Sequence, residues 1–150
     1  MKMNKTQMLD AIKHAKKMHL EEMHKISSVL KGNEVENPTP LGKMECECGT
    51  WFYSNEKEMK EILGVQLFER LDKHHENWHR EYHSIYNIFF KDEKKTGFFA
   101  KILKHNKVDS LTLDKAKLYF VELQKITEEL SKVFESAVRR VSALKESKFH

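Results

Sequence analysis

The only two prolines of the chain, Pro38 and Pro40, stand two residues apart, and with Asn37, Thr39, Leu41 and Gly42 they form a connector that no helix can run through. Elsewhere helix breakers are scarce, with five glycines in 150 residues. Lys, Glu, Leu, Met and Ala dominate the long segments, and a third of all residues are charged, which is a helix-forming composition. The chain is therefore expected to be all-α. Its length supports one compact domain with a real core, over residues 1–150, and is short for two.

On the N-terminal side of the prolines, Met8, Ala11, Ile12, Ala15, Met18, Met23, Ile26, Val29 and Leu30 keep helical spacing, and Gly32 follows where a C-cap is expected. After a loop to about residue 43, residues 44–53 are apolar and aromatic around Gly49 and read as a short helix or turn capping the bundle. Ser54 or Asn55 caps the next helix, which Gly64 interrupts before a helix carrying Leu67, Leu71, Trp78, Tyr82, Ile85 and Phe89. Residues 91–97 are polar and turn-like, residues 98–103 are expected to form a short apolar helix, and residues 106–110 to break it. From Ala116 through Tyr119, Leu123, Ile126, Leu130, Val133, Ala137 and Val141 to Leu144 runs a heptad-like seam. This longest helix would span roughly 50 Å, so its C-terminal part is expected to overhang the bundle and need a partner surface.

The net charge of +4 arises from interspersed signs, with no like-charge block or basic stripe carrying stacking aromatics, which argues against nucleic-acid binding. No apolar run resembles a signal sequence or is able to span a bilayer, so a cytoplasmic location without membrane insertion is expected. Cys46 and Cys48, the only cysteines, then read as reduced thiols or metal ligands rather than a disulfide.

Four histidines crowd positions 74, 75, 79 and 83. At about 100° per residue, His75 lies about 30° from the centre of the apolar stripe, His74 and His79 about 70° to either side, and His83 about 110° away. His75 and His79 are the inward pair, and histidines at i and i+4 present two imidazole nitrogens to one point, which suits a metal ion. On the first helix His19 falls within about 20° of the stripe centre, whereas His14 and His24 point at least about 120° away. Three inward imidazoles and a thiol make a tetrahedral set that fits Zn²⁺ in type and number.

The order His19, then Cys46-Glu47-Cys48-Gly49-Thr50-Trp51, then His75-Glu76-Asn77-Trp78-His79 resembles the chemoreceptor zinc-binding domain, whose pattern is His, then Cys-x-apolar-Gly-x-aromatic, then His-x-x-x-His. The resemblance covers about residues 10–90 plus a closing helix. It implies one Zn²⁺ per chain held by His19, Cys46, His75 and His79. It also implies an antiparallel four-helix bundle with a short cysteine-bearing helix and a long C-terminal helix, usually a homodimer. Such domains serve as zinc or oxidant sensors in bacterial signal transduction, attached to chemoreceptors or diguanylate cyclases. No signalling output is evident in the chain itself, so a free-standing or detached domain acting by contact with a signalling partner is expected, without enzyme activity. Two positions depart from the pattern. Glu22 stands where an aromatic residue is typical, at the stripe edge, placed to accept an imidazole N–H. Cys48 fills the apolar slot after the ligand cysteine and adds a second candidate thiol.

Three other readings compete. A di-iron bundle would use Glu21-x-x-His24 and Glu76-x-x-His79, but Glu21 and His24 face the polar side and a thiolate suits such a site poorly. A zinc enzyme needs an open coordination position for water, which Cys46 would fill. A structural zinc in a helical interaction module is separated from a sensor by affinity and exchange.

Overall fold

The structure is a computed structural model describing residues 3–35, 37–89 and 108–149. All of its regular elements are helical: α1 (Lys5–Leu30), α2 (Glu47–Ser54), α3 (Glu56–Leu63), α4 (Val65–Phe89) and α5 (Ser110–Ala143), then a 3-10 turn at Glu146–Phe149. The all-α bundle expected from the composition is borne out. Asn4 opens α1 with a reciprocal cap, accepting from the Gln7 N–H while the Gln7 side chain accepts from its own N–H. Gly64, at φ 83°, separates α3 from α4 in the left-handed geometry that glycine adopts without strain.

Helix α5 packs along both α1 and α4. Met8 and Ile12 from α1, Trp78, Tyr82 and Ile85 from α4, and Leu123, Leu130 and Ala137 from α5 are all buried. Each large apolar side chain so buried contributes about 1.5–3 kcal/mol. Trp78 keeps its polar tip satisfied by donating from Nε1 to Thr127 Oγ1 at 2.8 Å.

The seam of α5 runs as expected, but its C-terminal part does not overhang. Ala137 and Val141 are fully buried, Arg140 Nε donates to the Ile62 carbonyl at 3.1 Å, and Lys5 Nζ caps the Ser142 and Leu144 carbonyls at 3.0 and 2.8 Å. The start of α1 and the end of α3 fill that end of the bundle. Exposed apolar side chains on α5 lie instead toward its other end, at Leu111, Leu118 and Val121. The short helix expected at residues 98–103 lies outside the described residues. Among the described residues no helix is long and apolar enough to cross a membrane.

Candidate metal centre

Three elements bring four side chains to one point: His19 from α1, Cys46 from the residue capping α2, and His75 and His79 from successive turns of α4. All four are buried, and one ligand atom of each lies within 4.8 Å of the others. Cys46 Sγ is 3.3 Å from His75 Nε2, which is 3.2 Å from His79 Nε2. A tetrahedral zinc with Zn–N of about 2.0–2.1 Å and Zn–S of about 2.3 Å sets ligand-to-ligand edges of about 3.3–3.6 Å. The residues present fit that ion. The rings of His19 and His75, and of His75 and His79, meet at interplanar angles of 83° and 89°, so nitrogens converge without stacking.

The outward ring nitrogens fix the tautomers. His19 Nδ1 lies 2.9 Å from the Ala15 carbonyl and His79 Nδ1 lies 3.2 Å from the Leu41 carbonyl. A carbonyl only accepts, so in each neutral ring Nδ1 carries the proton and Nε2 presents a lone pair. His75 Nδ1 is 3.4 Å from the Tyr53 hydroxyl, which donates its own proton to Asp72 and so accepts from the ring. Lys43 Nζ holds the same Asp72 oxygen at 3.0 Å. Burial raises the Asp72 carboxyl, but Tyr53 and Lys43 outweigh it and hold the group below its ordinary value. A carboxylate behind an imidazole is the usual support of a ligating histidine. Lone pairs thus face one another inside the protein with little to donate between them, an arrangement that a cation completes.

The two thiols differ. Cys46 is held below its ordinary pKa, foremost by the neighbouring Cys48 and against its burial. Cys48 is pushed up by the neighbouring Cys46 and by burial, so it keeps its proton. The Gly49 N–H also donates to Cys46 Sγ at 3.2 Å, and the start of a helix favours negative charge. Burial lowers the His75 pKa, which keeps the ring neutral and its lone pair available at neutral pH.

Gly49 permits this turn. A Cβ there would sit 1.5 Å from the Lys43 carbonyl oxygen, which no side-chain rearrangement relieves. Gly49→Ala is expected to cost about 3 kcal/mol of stability, read from urea unfolding of the metal-free chain.

Other residues singled out in the sequence fall elsewhere. His14 is exposed and pairs with Glu47 at 3.1 Å, and His83 pairs with Asn87 at 3.2 Å. Among the described residues Glu22 accepts from no imidazole, contrary to expectation: its carboxylate takes the Thr39 hydroxyl and pairs with Lys25 at 3.3 Å. Glu21 pairs with Lys17 at 3.8 Å on the surface, His24 is exposed, and the two Glu-x-x-His pairs do not converge. Tyr53, Asp72 and the Leu41 carbonyl were missed. The only signal for any of them was the position of Asp72, one turn before His75 on α4.

No curated protein and no solved structure gives a significant match. The span that holds all four converging side chains is nevertheless recognised: residues 19–86 match the family model of the chemoreceptor zinc-binding domain.

Proposed function

We propose that the chain binds one Zn²⁺ through His19, Cys46, His75 and His79 and acts as a zinc-dependent sensory module in bacterial signal transduction. The observation that carries this reading is the commitment of Nδ1 to an acceptor in all three rings, which turns the Nε2 lone pairs and the Cys46 sulfur toward one point. When bound, zinc supplies the positive charge that holds Cys46 as a thiolate and ties α1, α2 and α4 together. Four protein ligands leave no position for a substrate or reactive water, so the reading is a sensor and not an enzyme. A cavity of about 150 Å³ bordered by Met18, Glu22 and Pro40 reaches Cys46, His19 and His79, which gives a small oxidant a route to the sulfur. The chain would act as one unit over its 150 residues, in the cytoplasm, without enzyme activity. Leu111, Leu118 and Val121, within about 80° of one another on α5, offer a homodimer seam or the contact for a partner of chemoreceptor or cyclase type.

Elemental analysis of the purified chain should give one zinc per chain, and a mean well below half would reject the assignment. Ligation requires deprotonated groups, and burial already lowers His75, so protons compete weakly at neutral pH. Zinc affinity is expected to hold above pH 7 and to fall as pH drops below the ordinary histidine value of about 6.5. A structural zinc is the second reading, favoured by the burial of all four ligands. Slow exchange with a chelator, together with indifference to oxidants, would select it.

A further inference from the structure

Between α1 and α2 the chain passes beside the cluster as a strap whose alternate carbonyls are each taken by a side chain of the bundle. The Asn37 carbonyl accepts from Lys25 Nζ at 2.8 Å, the Thr39 carbonyl from the Tyr82 hydroxyl at 2.8 Å, and the Leu41 carbonyl faces His79 Nδ1 at 3.2 Å. Pro38 and Pro40 occupy the positions between. A proline fixes its own φ near −65° and holds the residue before it extended, so Asn37 and Thr39 are straightened and the prolines offer no N–H of their own. Thr39 is only 3 % exposed, and its hydroxyl is spent on Glu22 of α1, which Lys25 neutralises. The same strap borders the cavity that reaches His19, Cys46 and His79.

We propose that the Glu22–Thr39 tie makes this strap the positioning element of His79: it anchors the Leu41 carbonyl, which holds the ring proton on Nδ1 and aims Nε2 at the shared ligand point. Glu22 and Thr39 are positioning residues, acting through the strap and touching neither the ring nitrogen nor the ion. Two features make the path rigid enough to carry this. The prolines leave little torsional freedom between Thr39 and Leu41, and the Tyr82 hydroxyl pins the Thr39 carbonyl one helical turn beyond His79 on α4. With the tie cut, the hydrogen bonds from Lys25 and Tyr82 still hold the strap and Leu41 still packs against the core, but the Thr39 side chain no longer fixes its path. The Leu41 carbonyl then wanders, and His79 populates the tautomer whose Nε2–H faces its neighbours. The consequence for affinity rests on the zinc reading above, whereas the effect on the ring does not.

The test uses the full chain, with Zn²⁺ alone as ligand in competition with a chelator at fixed pH. Removing the outer partner of a ligating histidine costs about 10–100-fold in metal affinity, and because this tie lies one bond further out, Thr39→Val and Glu22→Met, which removes the acceptor, are each expected to weaken zinc binding about tenfold. Thr39→Ser, which keeps the hydroxyl, should restore wild-type affinity. In the metal-free chain, ¹⁵N ring shifts should show His79 as a single Nδ1–H tautomer in the wild type and as a mixture in both variants, with His19 unchanged. Glu22 is half-buried, so Glu22→Met decides the matter should Thr39→Val misfold. Lower thermal stability with unchanged affinity and an unchanged His79 tautomer would assign the tie a purely structural role and overturn the proposal. A wild-type chain that binds no zinc would sink the metal reading, and the tautomer comparison would then still decide whether the strap orients the ring.

Discussion

His75→Ala is expected to abolish stoichiometric zinc, whereas His74→Ala and His83→Ala retain it. Zinc sites of this closed type are worth about 10–16 kcal/mol, so one of four ligands accounts for about 2.5–4 kcal/mol, or about two to three powers of ten in affinity. His75 should lie at the upper end, because its Nε2 is near both Cys46 Sγ and His79 Nε2, and its ring is backed by Tyr53 and Asp72. The loss is readable in stability as well. A ligand bound only by the folded state raises stability with its free concentration, so the difference in melting temperature with and without chelator should nearly vanish in His75→Ala. The two cysteines sharpen the assignment. Cys46→Ala should behave like His75→Ala, while Cys48→Ala changes a thiol outside the converging cluster and should keep most of the zinc. Zinc retained in His75→Ala, or lost from Cys48→Ala but not from Cys46→Ala, would overturn the assignment.

That His19, His75 and His79 converge was legible because helical facing is arithmetic: on long amphipathic helices about 100° per residue decides which imidazoles point inward. The same arithmetic fails on residues 44–53, where the segment is too short for its own periodicity to set a facing, so the roles of Cys46 and Cys48 stayed open. Geometry separates them, since Cys46 precedes α2 and accepts the Gly49 N–H while Cys48 lies inside the helix. Tyr53 and Asp72 belong to different helices, and their meeting behind His75 depends on how α2 lies against α4. The Leu41 carbonyl carries no side-chain signal at all. Glu22 shows the limit from the other side: its place at the stripe edge gave a direction but not a partner, and the partner is a threonine delivered by the proline strap. The expected overhang of α5 failed for a related reason. Comparing helix lengths left out the short helix α3, which shares that end of the bundle.

Hypochlorous acid is expected to release the zinc and to loosen residues 44–50 selectively, on the reading that this is an oxidant-responsive site. Cys46 is the reactive group because bound zinc would hold its sulfur as a thiolate, and thiolates rather than thiols are attacked. Thiolate and hypochlorous acid give cysteine sulfenic acid and chloride: sulfur loses two electrons, chlorine gains them, and the hydroxyl ends on sulfur. The product is a weaker ligand and a weaker acceptor, so the site loses one of its four bonds and the start of α2 loses the charge that its N–H groups face. The far end of α2 is anchored independently. Phe52 is 1 % exposed and stacks on Phe68 with ring centroids 4.6 Å apart, and Tyr53 stays bonded to Asp72. Loosening should therefore stop near Trp51 and leave α4 protected. Cys48 is a poor trap for the oxidised sulfur, because a disulfide between residues two apart is strained, so reductant should restore the site if oxidation stops at the sulfenic acid. Hydrogen exchange resolved along the chain, read beside a zinc-sensitive dye, measures both effects at once. Zinc kept in place and unchanged protection over residues 44–50, at an oxidant dose that demonstrably converts Cys46, would leave a structural zinc as the reading.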